Sequence, residues 1–109
     1  MKIAIVMNDY QIRSIYCSAL KKAGHETQGY ANAESCLHVI AQAARRLEEQ
    51  PHEIVITEAE LKDGLLSGGD LLASITTIAP HVKIHAFSEE TRLHPAKLLG
   101  EINGTHAPR

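Results

Sequence analysis

The sequence predicts one small α/β domain, a three-layer sandwich in which helices cover both faces of a parallel sheet. Short apolar strands alternate with segments of helical periodicity in the order β-α-β-α-β-α-β. The 109 residues suffice for one hydrophobic core but not for two independent domains. In parallel sheets of this kind, ligands bind at the carboxyl ends of the strands. Candidate functional residues are therefore sought at those ends.

The first strand and helix are predicted from the N-terminal residues. Residues 2–7 form an apolar run that is typical of a strand buried on both faces. Apolar residues then recur at helical spacing, and Gly24 is a typical helix-terminating residue. The predicted apolar face of this helix consists of Ile12, Ile15, Tyr16, Ala19, Leu20 and Ala23.

A second strand and helix repeat the pattern. Residues 26–31 predict a weaker strand, and Asn32 is a favourable N-cap for the helix after it. The helix ends before Pro51, because the residue that precedes a proline disfavours the helical conformation. Its predicted apolar positions are Leu37, Ile40, Ala44 and Leu47.

The third unit begins with the clearest of the later strands. Residues 53–57 predict this strand, and the loop 62–69 after it contains three glycines and a serine. A helix that stops at Pro80 and a fourth strand at 82–87 complete the pattern. The predicted apolar positions of the helix are Leu71, Leu72, Ile75 and Ile78.

The C-terminal region is less regular. Residues 95–102 predict a short helix, residues 104–109 predict a frayed tail, and no fifth strand is evident. A sheet that stops early leaves an unpaired edge, which proteins relieve by covering it or by association. We therefore expect a single domain over residues 1–109 that forms a homodimer.

Composition excludes several classes of function. A net charge of -2 and the shortage of aromatic residues argue against binding to nucleic acid. No signal peptide and no apolar stretch long enough to span a membrane is present, so a cytoplasmic protein is expected. The seven histidines lack metal-ligand spacing, and His85 is expected at the solvent edge or in the core. Cys17 and Cys36 lack CxxC spacing and predict buried, reduced thiols.

Four segments carry a resemblance to a known family. Residues 2–9, with the following Ile12-Arg13, are similar to an apolar strand, an acidic pair and the start of a helix. The segment 51–58 is similar to a proline, an apolar strand and a terminal aspartate, 69–72 to the opening of a third helix, and 84–88 to a strand ending in a hydroxyl residue. These features resemble the response-regulator receiver domains (CheY-like), and the match is strongest over residues 1–90. The resemblance implies a flavodoxin-like α/β fold with its last strand absent or altered.

The resemblance also assigns positions at the functional edge. Met7 and Asn8 stand at the acidic-pair positions, Glu58 at the phosphoacceptor aspartate and Ser88 at the switch hydroxyl. Receivers use the three acids to hold Mg²⁺ during phosphoryl transfer. Here only Glu58 is anionic, so Mg²⁺ binding is expected to be weak or absent and no other cofactor or metal is implied. A register shifted by one residue would add the carboxylate of Asp9, and the family's lysine after the fifth strand has no convincing counterpart.

Glu58 has two interpretations. Its extra methylene directs the carboxylate toward the space of a phosphoryl group, so it could imitate the phosphorylated state and accept a hydrogen bond from Ser88. Alternatively, the site has lost its chemistry, and Glu58 is a tolerated acid that is solvated or paired with Arg13 or Lys62. In both cases phosphotransfer is not expected.

The leading hypothesis is a stand-alone pseudo-receiver of a two-component system that signals through protein contact and is not an enzyme. Its expected partners are a histidine kinase, a transcription regulator or another signalling protein. Two alternatives remain: a phosphate-accepting response regulator or phosphorelay member with divergent chemistry, and a small flavodoxin-like ligand-binding domain or enzyme. The charged end of the second helix, either a solvated face or a partner-binding surface, consists of Arg45, Arg46, Glu48 and Glu49.

Overall fold

The computed structural model describes residues 1–61 and 64–87, and the described part forms four strands and three helices. All adjacent strands are parallel, in the order β2-β1-β3-β4. The predicted α/β fold is confirmed, and the strand order reverses between β1 and β3. In chain order the elements are β1 (Lys2–Val6), α1 (Tyr10–Lys22), β2 (Glu26–Tyr30), α2 (Ala33–Arg45), β3 (Ile54–Glu58), α3 (Gly68–Ile78) and β4 (Lys83–Phe87).

The core lies on both faces of the sheet, as the apolar runs of β1 and β3 predict. On one face, Tyr16 and Leu20 of α1 pack against alternate residues of β1 and β3. On the other face, Ile40 of α2 and Leu71 and Ile75 of α3 pack against the intervening residues. Because side chains alternate across a strand, two central strands buried on both faces produce three layers.

Polar side chains fix where the helices begin. The Asp9 carboxylate accepts a hydrogen bond from the backbone N–H of Ile12 at 3.1 Å, which caps α1. Asn32 caps α2 as predicted, with its side-chain oxygen 2.9 Å from the backbone nitrogen of Ser35. At the start of α3, Ser67 and Asp70 form a reciprocal capping box. The third helix thus begins inside the segment that the glycines had predicted as a loop.

Five apolar residues that were predicted to face inward are exposed instead: Ile15, Ala23, Leu47, Leu72 and Ile78. On α1 and α3 the buried stripe is a narrow ridge with four-residue spacing, so apolar residues beside it remain in contact with solvent. Leu47 differs, because α2 ends at Arg45 and Leu47 lies beyond it with 94% of its surface exposed.

The two cysteines occupy different environments. Cys36 is buried in the core, and this burial raises the pKa of its thiol to about 12. Cys17 is half-buried on α1, and desolvation also raises its pKa. Both thiols are free in the structure, and the burial of Cys17 is less complete than predicted.

Several predictions concern residues outside the described ranges. These are Ser88, the helix at 95–102, the tail at 104–109 and the absence of a fifth strand. Among the helices that are described, none is both long and apolar enough to cross a membrane.

Candidate functional site

The candidate site lies at the carboxyl edge of the sheet, where the strand order reverses between β1 and β3. In open parallel sheets this reversal creates a crevice that commonly holds the ligand. Met7 and Asn8 follow β1, and Glu58 is the last residue of β3. Since Val6 pairs with Thr57 in the parallel register, the fold brings these three sequence-predicted residues to the same edge.

Met7 belongs to the core rather than to an open site. Its exposure is 0%, and it packs in the apolar cluster beneath α1 with Ile5 and Tyr16. Its backbone N–H donates to the carbonyl of Tyr30 at 3.1 Å. Met7 therefore contributes packing and a thioether, and Mg²⁺ prefers oxygen ligands over sulfur.

Asn8 and Arg13 stabilise the turn between β1 and α1. The Asn8 side-chain amide donates to the carbonyl of Ala31 at 2.8 Å, which joins the ends of β1 and β2. The guanidinium of Arg13 donates to the carbonyl oxygens of Met7 at 2.6 Å and Asn8 at 3.4 Å. The Asp9 carboxylate, the one a shifted register would recruit, caps α1. The polar side chains of this turn thus stabilise its backbone through hydrogen bonds.

Glu58 is largely buried at the end of its strand, with 8% of its surface exposed. Its backbone carbonyl accepts a hydrogen bond from the Thr57 hydroxyl at 3.0 Å. The first turn of α3 packs closely above it, because a Cβ at Gly68 would overlap the Glu58 carbonyl. Arg13, one predicted partner, donates to the Met7 and Asn8 carbonyls, and Lys62 lies outside the described residues.

Sequence reasoning missed Glu34, which holds the loop between β3 and α3. One carboxylate oxygen of Glu34, in the first turn of α2, accepts backbone N–H bonds from Leu65 at 2.6 Å and Leu66 at 2.5 Å. The bond from Leu66 is the largest cause that lowers the pKa of Glu34. Gly64 makes the approach feasible, because its φ is +92° and a Cβ there would overlap the carboxylate. The one signal in the sequence was the position of Glu34 in the first turn of a helix, which gives no indication of the loop that it binds.

The residues at the edge fit a divalent cation poorly. Within residues 1–61 and 64–87 there is no cluster of three histidine, cysteine or acidic side chains that could hold a metal ion. At the reversal point, Met7 is buried in the core, and the Asn8 amide nitrogen is bound to a backbone carbonyl. Of the three residues predicted from the resemblance, Glu58 is the one that carries an anionic oxygen. His85 is exposed on β4, in agreement with the expected position at the solvent edge.

Comparison with known proteins gives no match by sequence and clear matches by structure. No protein-family model matches the chain, and no curated protein sequence does. The receiver domain of the hybrid histidine kinase CckA is 14% identical with a TM-score of 0.73, and the match covers 95% of this chain and 97% of that one. Chemotaxis protein CheY4 of Vibrio cholerae is 17% identical with a TM-score of 0.70, covering 94% and 96%.

A longer protein gives a similar result. NtrX from Brucella abortus is 20% identical with a TM-score of 0.76, but the match covers 94% of this chain and only 26% of NtrX. The chain thus spans about a quarter of NtrX and nearly all of the CckA receiver domain. At these identities the likeness concerns the fold. The sheet order, the helices on both faces and these neighbours together show that the chain has the flavodoxin-like fold of CheY-like receiver domains.

Proposed function

We propose that this protein is a pseudo-receiver that signals through protein–protein contact and does not undergo aspartyl phosphorylation. A histidine kinase or a transcription regulator in the cytoplasm is the partner class that suits such a protein. The observation that carries the proposal is the complete burial of Met7, at the first acidic-pair position, within the core beneath α1.

The proposal follows from the chemistry of phosphoryl transfer. Charge on the transferred group is normally neutralised by Mg²⁺, and the metal is held by several oxygen ligands. Here a thioether and an amide replace two of the expected carboxylates. A single buried carboxylate, Glu58, binds Mg²⁺ weakly and is a poor phosphate acceptor without it.

The β3–α3 loop supports a role that needs no phosphoryl group. Its Leu65 and Leu66 amides are bound by Glu34, and the capping box of Ser67 and Asp70 continues the order into α3. Because these described amides are already bound, their conformation does not depend on an added phosphate. We infer that the surface around this loop is presented to partners in one constitutive form.

Mass spectrometry tests the absence of phosphorylation. The protein is incubated with Mg²⁺ and acetyl phosphate, and the intact mass is recorded against time, with a phosphorylatable receiver domain as the positive control. We expect no addition to the wild-type chain. We expect the same of Glu58→Asp, because this variant restores the acceptor but leaves Met7 and Asn8 at the metal positions.

Beryllofluoride titration followed by amide NMR provides the second measurement. No saturable shift of the amides near Glu58 is expected in the presence of Mg²⁺. A phosphoryl mass on the wild-type protein, or a saturable shift, would overturn the proposal in favour of a receiver with divergent acceptor chemistry. A phosphoryl mass on Glu58→Asp alone would show that the metal positions are competent, and it would equally contradict the argument from Met7.

A further inference from the structure

The end of α2 has a common backbone motif with an unusual residue, leucine, at its left-handed position. The N–H of Leu47 donates to the carbonyl of Ala44 at 3.3 Å, and the N–H of Glu48 donates to that of Ala43 at 2.9 Å. These two bonds form a Schellman motif, whose C′ position takes the left-handed conformation and is usually glycine. Leu47 occupies that position with φ of 55°. Its large apolar side chain projects outward, with 94% of its surface exposed.

The two chain neighbours of this leucine, Arg46 and Glu48, line a groove. Its volume is about 220 Å³, below the ~300 Å³ at which pockets for small-molecule ligands begin. That volume suits one or two protein side chains better than a cofactor or substrate. The lining contains apolar, polar and charged residues: Val39, Gln42, Ala43, Arg46, Glu48, Glu49 and Pro51.

We propose that this helix end is a self-association surface, in which Leu47 of one copy enters the groove of a second copy of the chain. The knob and the groove are adjacent, so a two-fold axis between them places each leucine in the opposite groove, as a C₂ interface requires. The charges are also self-complementary, because one rim carries Arg46 together with Glu48 and Glu49. Within one chain, Arg46 and Glu48 form only a long, exposed ion pair at 3.9 Å.

The inference gives a location to the homodimer expected from the sequence. That expectation rested on an unpaired sheet edge, whereas the surface proposed here is the charged end of α2. It refines the protein-contact function proposed above, but it does not depend on the phosphorylation chemistry. The mass-spectrometry result and the association result can therefore fail independently.

Sedimentation equilibrium of the full chain tests the proposal. The wild-type protein is expected to dimerise at micromolar concentrations. Leu47→Gly keeps the Schellman backbone, removes the knob and should raise the dimer dissociation constant roughly tenfold or more. Leu65→Asn is the matched control, because Leu65 is another leucine with 95% exposure, on a different segment, and its loss should leave the dissociation constant unchanged.

A charge exchange identifies the occupant of the groove. Arg46→Glu should weaken the dimer, and Arg46→Glu combined with Glu49→Arg should restore it, because opposite charges again meet across the two-fold axis. A wild-type chain that is monomeric at high micromolar concentration would overturn the proposal. A dimer that is unaffected by Leu47→Gly, or weakened equally by Leu65→Asn, would place self-association elsewhere and overturn it as well.

Discussion

The C-terminal ends of α1 and α2 use the same backbone motif with different residues at its key position. At the end of α1, Gly24 donates to the Lys21 carbonyl at 3.0 Å and His25 donates to that of Leu20 at 3.1 Å. Gly24 takes the left-handed conformation with φ of 95°. The end of α2 repeats these two bonds, but Leu47 stands where α1 has Gly24.

This difference shows that the motif requires a left-handed backbone conformation at this position but does not require glycine. Glycine adopts a left-handed conformation without steric cost, whereas an L-residue with a Cβ loses roughly 1–2 kcal/mol there. Leu47 recovers little by burial, because it is almost fully exposed. A strained residue that gains nothing from packing within its own chain suggests a role outside it, and the proposed self-association would supply that role.

Each helix end also leads into a histidine before the next strand, and the two histidines differ. His25 is half-exposed, and its Nδ1 lies 3.3 Å from the N-terminal amine. His52 is buried, its Nε2 lies 2.7 Å from the Tyr30 hydroxyl, and the two rings meet edge to face. Burial is the main cause that lowers the pKa of His52 and raises the pKa of Tyr30 to about 12. We therefore expect the stability of the connection after α2 to depend on the protonation of His52.

The largest loss of stability is expected at Gly68, where a side chain is excluded by lack of space and not by the backbone angle φ. Gly68→Ala should lower the free energy of unfolding by about 2–3 kcal/mol, because the new Cβ overlaps the Glu58 carbonyl and forces α3 away from β3. Urea denaturation measures this change. Gly69→Ala, one residue further along α3, is the control, since its Cβ would meet only the Ser67 hydroxyl oxygen at 3.6 Å. Equal stability of the two variants would contradict the close approach.

Gly24→Ala tests the cost of φ alone. No atom lies within 4 Å of the Cβ that the substitution adds, so any loss of stability comes from the left-handed backbone. The free energy of unfolding should fall by about 1 kcal/mol in urea denaturation. An unchanged stability would show that the end of α1 relaxes, and the comparison between the two helix ends would then lose its basis.

Leu47→Gly should change the free energy of unfolding in the opposite direction from Gly24→Ala and by a somewhat smaller amount. Removal of the Cβ from a left-handed residue is expected to raise the free energy of unfolding by about 0.5–1 kcal/mol, after allowance for the greater freedom of glycine in the unfolded chain. The measurement uses submicromolar protein, at which dimer formation contributes little. Leu47→Ala keeps the strained backbone and serves as the control without this gain. A loss of stability in Leu47→Gly would show that the leucine packs within its own chain.

The smallest effect is expected from the protonation of His52. Its folded pKa lies below the ordinary 6.5, so below pH 6.5 the unfolded chain binds more protons and stability falls as the pH falls. Between pH 7 and pH 6 this contribution is at most about 0.7 kcal/mol. Chemical denaturation of the wild type and of His52→Gln measures it, with the variant expected to have the flatter pH dependence. Identical slopes would mean that His52 titrates normally in the folded chain.

The sequence predicted those features that depend on short-range pattern. The apolar runs of β1 and β3, the Asn32 cap and the glycine at the end of α1 follow from residues next to one another, and the structure confirms each of them. The resemblance to receivers placed Met7, Asn8 and Glu58 at one edge, and the parallel pairing of β1 and β3 brings them there.

Features that depend on residues distant in sequence could not be predicted in this way. Glu34 contacts Leu65 and Leu66 across about thirty positions, and nothing near Glu34 indicates which loop it binds. The burial of Glu58 depends on α3 packing over the end of β3. Helical periodicity placed Leu47 on a buried face, but the Schellman bonds end the helix before that residue.

By itself, the sequence determined the order of elements, the apolar character of the central strands and the presence of Met7 and Asn8 directly after β1, because these properties belong to single residues and their neighbours. Only the tertiary structure decided that Met7 is sealed in the core, that Glu34 orders the β3–α3 loop and that Leu47 projects outward beside a groove. The physical reason is that burial and hydrogen-bond partners arise from the packing of whole elements, which local pattern does not encode.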